Sequence, residues 1–135
     1  MPAGYSGKSL REKLGVKTEQ RTWRFQMPLS VAREIEESGC VPVLLETPQP
    51  GLEMAHLFVS QRRELLTHLP RLRQLLAPAG TIWVSWPKKS SRVETDLTDN
   101  VVRNEALALG LVDIKVCAVD AVWSGLKLVI RKSER

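Results

Sequence analysis

The chain is poor in the residue types that support several common protein chemistries. Among its 135 residues there are only two cysteines, Cys40 and Cys117, and two histidines, His56 and His68. The cysteines show no paired spacing, which excludes a disulfide framework and favours reduced thiols buried as small hydrophobes in the cytoplasm. No carboxylate or second histidine lies at ligand spacing from His56, so we expect a core histidine and no metal site.

Long apolar runs are also missing. No segment approaches the roughly 20 residues that a membrane-spanning helix requires, and residues 1–14 lack a hydrophobic segment of the signal-peptide type. Lysine and arginine total 20 against 15 acidic residues, a net charge of +5 that permits an anionic partner without requiring one. With 43% hydrophobic and 26% charged residues, the composition predicts one soluble globular domain and no membrane partner.

Hydrophobic periodicity predicts alternating strands and helices. The predicted strands are 22–27, 41–46, 54–59, 81–86, 113–120 and 126–131. The predicted helices are 9–15, 29–38, 61–76 and one that is capped by Asp96 or Thr98 and runs to Leu109. Pro42 favours an edge position for its strand, Ser60 is expected to cap the third helix, and Pro70 is expected to kink it.

This alternation is typical of a single three-layer, Rossmann-like α/β domain. We expect a mostly parallel sheet of about six strands. The last two strands are joined by a short connection, which allows only an antiparallel hairpin. We expect residues 1–15 to form an N-terminal arm with a short helix, and residues 16–135 to form the α/β domain.

Several stretches resemble known protein families. The segment 75–84 resembles the turn and following strand of class I S-adenosylmethionine-dependent methyltransferases, and the hairpin 113–131 is similar to the end of that fold. A closer resemblance is to a short bacterial family of unknown function with a methyltransferase-like fold. It rests on residues 5–7, 56–59, 83–89, 95–98 and 123–128. The resemblance implies a truncated methyltransferase-like domain over residues 16–135 and brings no established activity.

The cofactor signature of such methyltransferases is only half present. They place a glycine-rich turn after the first strand, where the backbone approaches the cofactor, but no glycine occurs between Gly15 and Gly39. The first strand ends instead at the bulky residues 26–29. Glu46 stands where the family has an acid that accepts the ribose hydroxyls, 19 residues after Met27. We therefore expect the fold without its cofactor, with S-adenosylmethionine held by Glu46 as the alternative.

The strongest candidate site is the stretch 81–99, which reads as a buried strand, a basic loop and a helix start. Ligands of open α/β sheets sit beyond the carboxyl ends of strands, and three cations beside a helix N-terminus favour an anion. The candidate ligand-binding residues are Arg24, Ser85, Trp86, Lys88, Lys89, Arg92, Thr95, Asp96 and Trp123. Trp86 and Trp123 are expected to frame the same end of the sheet, and the polarity of Arg24 predicts an open face. No catalytic residue is predicted.

Three functions stay open at this point. The favoured one is a degenerate methyltransferase-like domain that binds a small anion or a protein partner without catalysis. The first alternative is a small S-adenosylmethionine-dependent methyltransferase with an atypical cofactor turn. The second is a nucleic-acid-binding accessory protein that uses Lys88, Lys89, Arg92 and the arginines of the helix 61–76.

Overall fold

In the computed structural model, which describes residues 8–135, six strands form one sheet with helices on both faces. The helices are α1 (Leu10–Leu14), α2 (Leu29–Glu37), α3 (Arg62–Leu75) and α4 (Asp99–Leu107). The strands are β1 (Arg21–Phe25), β2 (Val43–Leu44), β3 (Leu52–Phe58), β4 (Leu76–Pro87), β5 (Leu111–Ala118) and β6 (Trp123–Ile130). Residues 1–7 lie outside the described part, and with them most of the expected N-terminal arm and residues 5–7 of the family resemblance.

The sheet order is β2-β1-β3-β4-β6-β5. Strands β2, β1, β3 and β4 are parallel, and β6 pairs antiparallel with both β4 and β5. The α/β class, the mostly parallel sheet and the closing hairpin are therefore confirmed. The edge position of β2 is also as Pro42 predicted.

Two hydrophobic cores lie on opposite faces of the sheet. One lies beneath α3 and α4 and includes Leu69 and Val102, and the other lies beneath α1 and α2 and includes Leu14, Ile35 and Trp83. Strand β3 contributes to both, and all its residues except Glu53 are buried. A central parallel strand covered on both faces reads as a continuous apolar run, as this one does.

Helix α1 is short but held at both ends. Ser9 caps its start by accepting from the Glu12 amide at 3.2 Å, and Gly15 ends it with a left-handed φ of 73°. Trp83 is fully buried below it, and its indole Nε1 donates to the Leu14 carbonyl oxygen at 2.8 Å. This hydrogen bond fixes α1 to the middle of the sheet.

Helix α3 differs from its expected form in its N-cap. It runs through Pro70 as one helix, with Leu65 and Leu69 buried on its inner face. Its N-cap is Gln61 rather than Ser60, and the Glu64 carboxylate accepts from the backbone amides of both residues at 3.2 Å. Strand β4 begins directly after the helix, because Leu76 pairs with Leu52, and residues 77–80 then bulge out of this ladder before Thr81 pairs with Met54.

None of the helices described over residues 8–135 is both long and apolar enough to cross a membrane. Both cysteines are free and buried, as expected.

Candidate functional site

A groove of about 630 Å³ lies at the carboxyl end of β4. Its lining includes Trp86, Lys88, Lys89, Thr95, Asp96 and Ser124. Five of the residues predicted as candidates therefore meet at one place, where the basic loop passes the start of α4. The other four lie elsewhere.

Hydrogen bonds connect the segments that surround the groove. The Lys88 amide donates to the Val122 carbonyl oxygen at 2.8 Å, which ties the basic loop to the β5–β6 hairpin. Thr98 caps α4, since its hydroxyl accepts from the Val101 amide at 3.2 Å. Ser91 donates its hydroxyl to the Lys88 carbonyl at 2.6 Å, so this hydroxyl stabilises the loop. The two lysine ammonium groups remain outside the ion pairs found among residues 8–135.

Asp96 has a different role from the one predicted. Its carboxylate accepts from the Arg62 amide at 2.7 Å, so it stabilises the start of α3 rather than that of α4. Next to it, the Thr95 hydroxyl donates to the Ser60 carbonyl at 2.5 Å. The two side chains thus attach the segment before α4 to the β3–α3 connection and to the start of α3, and this segment forms one wall of the groove.

Ser85 and Arg24 lie on the opposite face of the sheet from the groove. Ser85 is fully buried, and its hydroxyl is 2.7 Å from Nε2 of His56. Arg24 is half-buried beside His56, its register partner on β3. This is the side of the sheet on which α1 and α2 pack, and the open face expected at Arg24 stays a prediction.

His56 is a core histidine, as predicted, and stacks on Phe58 with a centroid distance of 4.3 Å. Burial, followed by the positive charge of Arg24, lowers the pKa of His56 from 6.5 to about 3. The imidazole is therefore neutral across the physiological range. It shares a hydrogen bond with Ser85 and is not placed to exchange protons with a ligand in the groove.

The two tryptophans do not frame a common site. Trp86 packs into the core beneath α3 and α4, whereas half-buried Trp123 packs edge-on against Phe58 in the other core at 5.1 Å. They share an end of the sheet but face opposite sides. Arg92 ends the short helical turn after Lys88 and is exposed, outside the groove lining.

The arginines of α3 are only partly available for a nucleic acid. Arg62 pairs with Glu105 at 3.0 Å, and Arg73 pairs with Glu134 at 3.2 Å. These contacts tie α3 to α4 and to the C-terminal turn. Arg63 and Arg71 remain exposed.

The corner between β1 and α2 carries a feature that the sequence did not predict. Gln26 adopts a left-handed backbone with φ of 56°, although it is not glycine. With its amide turned to donate, its nitrogen lies 3.1 Å from the Phe58 carbonyl oxygen and 3.3 Å from Glu64 Oε2. No sequence signal could have found this, because glutamine seldom takes that conformation.

Glu46 follows β2 at the same end of the sheet. Its side chain is exposed, and its carbonyl oxygen accepts from Nε1 of Trp23 at 3.3 Å. The hydrogen bond holds the end of β2 against β1, so Glu46 and the Gln26 corner belong to one strand-end surface. Over residues 8–135, no three histidine, cysteine or acidic side chains converge on a metal position.

The sheet order and the closing hairpin define a methyltransferase-like α/β fold. Solved structures that share it include LepI in complex with S-adenosylmethionine, at a TM-score of 0.54 and 12% identity over 90% of this chain and 39% of LepI. Magnesium protoporphyrin IX methyltransferase from Synechocystis PCC 6803, with the same cofactor bound, has a TM-score of 0.56 at 10% identity, over 90% of this chain and 74% of that one. Aeropyrum pernix fibrillarin, also with bound S-adenosylmethionine, has a TM-score of 0.51 at 15% identity, over 89% and 73%.

These comparisons show a methyltransferase-like fold. No family model matches the chain, and no curated protein matches it. Resemblance to a short bacterial family therefore stays a prediction. The chain spans 39% of the length of LepI, and 74% and 73% of the lengths of the other two proteins.

The prediction that no cofactor binds is wrong. Three structures that share this fold each hold S-adenosylmethionine. The prediction rested on the missing glycine turn, but Gln26 supplies a left-handed backbone at that corner without glycine.

Proposed function

We propose that this chain is an S-adenosylmethionine-binding domain of the class I methyltransferase type. The observation that carries the proposal is the left-handed backbone of Gln26 at the first strand–helix corner. This conformation costs an L-residue roughly 1–2 kcal/mol, and such strain tends to collect where a ligand must be approached.

The residues around the corner fit the cofactor. Glu46 presents an exposed carboxylate after β2, where it can accept hydrogen bonds from ribose hydroxyls. Helix α2 begins after Pro28, and no side chain caps its first amides, so the amides of Leu29 and Ser30 are available to an acceptor. The Gln26 side chain contacts the Phe58 carbonyl oxygen at the end of β3, so it lies away from β2 and Glu46.

The groove is the proposed place for the second ligand. The groove lies at the end of β4, two strands from β1 in the sheet order, or about 10 Å at the usual strand spacing. Lys88 and Lys89 favour an acceptor with an anionic group. A bound cofactor would supply an electrophilic methyl group, and the chain's own residues would orient and shield the two ligands.

Glu46→Gln is expected to weaken S-adenosylmethionine binding about tenfold. The substitution keeps the shape of the side chain but removes the charge that strengthens its hydrogen bonds to ribose hydroxyls. Isothermal titration calorimetry on the full chain measures the effect directly, and S-adenosylhomocysteine serves as a second probe.

Glu37→Gln is the matched control, since Glu37 is an exposed glutamate on the far end of α2. It should bind as the unmodified chain does. Absence of binding to the unmodified chain at millimolar cofactor would overturn the proposal. Equal losses of affinity in both variants would show that Glu46 does not contact the cofactor.

A further inference from the structure

Four lysines form a surface on the face of the sheet that carries α1. This lysine surface consists of Lys13, Lys17, Lys115 and Lys127. Lys115 and Lys127 are directly opposite each other in the antiparallel register of β5 and β6. Like charges in that position destabilise a sheet, so the pair calls for an explanation other than stability.

The ion pairs of the protein leave the lysine surface uncompensated. All five ion pairs formed within residues 8–135 use arginine, and none uses lysine. Their arginines lie on α3, α4 or just after β6. The carboxylates nearest to this surface are those that share cavities with Lys17, namely Glu12, Glu19 and Glu53, and none of them is in an ion pair with its lysines.

Lys127 is the centre of the lysine surface. Its ammonium lies 3.6 Å from the position that a Cβ on Gly15 would take, close against the end of α1. Burial, together with the charges of Lys115 and Lys17, lowers its pKa. Lys115 donates to the Lys13 carbonyl oxygen at 2.9 Å, whereas Lys127 has no acceptor among the residues that the structure describes.

The basic charge continues beyond these four lysines. An adjoining open groove of about 310 Å³ is lined by Lys8, Arg11 and Lys17, with Glu12 as its only acidic residue. Glu12 already accepts from the hydroxyl of Ser9 at 3.1 Å. The cations are therefore spread along α1 and across the hairpin rather than converging on one enclosed pocket.

We infer that the lysine surface binds the phosphate backbone of a nucleic acid. A chain of spaced phosphates matches separated ammonium groups, whereas a single small anion would engage one or two of them. Phosphates between Lys115 and Lys127 would also relieve the repulsion of that pair. The inference is independent of the proposed cofactor site, because none of the four lysines lies at the carboxyl end of β1.

The test compares two double variants that remove the same charge from opposite faces. Lys115→Gln with Lys127→Gln removes the cross-strand pair. Arg63→Gln with Arg71→Gln removes two exposed charges of α3. Binding of the full chain to a fluorescein-labelled oligothymidylate, and to a labelled duplex of mixed sequence, is followed by anisotropy over a series of salt concentrations.

The lysine variant is expected to bind about tenfold more weakly, and its log–log salt dependence should become shallower by about 1.4 on oligothymidylate and about 1.8 on the duplex. Its melting temperature should hold or rise, since a like-charge pair is removed, so weaker binding cannot be assigned to unfolding. The arginine variant should bind like the unmodified chain. Equal losses in the two variants, no binding by the unmodified chain, or binding to phosphatidylserine vesicles in place of both nucleic acids would each overturn the inference.

Discussion

Trp83→Ala is expected to lower the free energy of unfolding by about 4 kcal/mol, the largest loss from any single substitution considered. Trp83 is fully buried and is among the largest side chains of the core beneath α1 and α2. Removing a buried aromatic ring costs the transfer energy of its atoms and leaves a cavity. Domains of this kind are stable by only about 5–15 kcal/mol, so the variant should unfold at much lower urea.

The same substitution should also loosen α1 selectively. The indole Nε1 is the donor that holds the Leu14 carbonyl, so its loss leaves that oxygen without this partner. Trp83→Phe keeps most of the packing and should cost only about 1–2 kcal/mol, with faster amide exchange in α1 as its local signature. Trp123→Ala is the control for ring removal, because Trp123 is half-buried and its loss should be smaller. Equal losses at the two tryptophans would contradict the assigned role of Trp83.

Acid is expected to destabilise the protein through His56, by about 2 kcal/mol near pH 5 and about 3 kcal/mol near pH 4. The pKa of His56 is about 3 in the folded chain against 6.5 when exposed. Below 6.5 the unfolded chain takes up a proton that the folded chain does not bind, so stability falls as the pH falls toward 3. Above 6.5 neither state is protonated and the effect vanishes.

Two variants separate this effect from the titration of carboxylates. His56→Phe keeps the stacking on Phe58, and His56→Gln keeps a hydrogen-bonding partner for Ser85. Both remove the titrating group, so the free energy of unfolding from urea melts should depend less on pH in each. His68→Gln is the control, since His68 is only half-buried against Phe25, where burial lowers its pKa. A pH dependence that survives both His56 variants would exclude His56 as its source.

The fold could be predicted from the sequence wherever the packing around an element leaves a pattern in its residues. The run around β3 is apolar because helices cover both faces, and the closing hairpin is antiparallel because its connection is short. The extent of β2 did not follow. It was predicted as 41–46 but spans Val43–Leu44, since β1 is its only neighbour and Pro42 cannot donate to a ladder.

The candidate site was predictable in part, because side chains alternate between the two faces of a strand. Trp86 and the loop that begins at Lys88 share one end of β4, so their convergence in the groove could be expected. Ser85 precedes Trp86, and neighbouring residues of a strand point to opposite faces, so both could not line one groove. Gln26 lay beyond prediction, because its backbone is set by the contacts of the β1–α2 corner rather than by residue preference.

The irregularity in β5 opposes the addition of a foreign strand at this edge of the sheet. Strand β5 is an outer strand of the sheet, and Ile114 and Val116 on it are 56% and 59% exposed. A regular strand of that kind would template the addition of a foreign strand and seed aggregates. The register shift between Asp113 and Lys115 interrupts the row of free backbone groups, and Lys115 adds a charge there. Lys115, which we expect to bind phosphates, therefore also opposes strand addition at the edge of the sheet. Its replacement should be checked for aggregation as well as for binding.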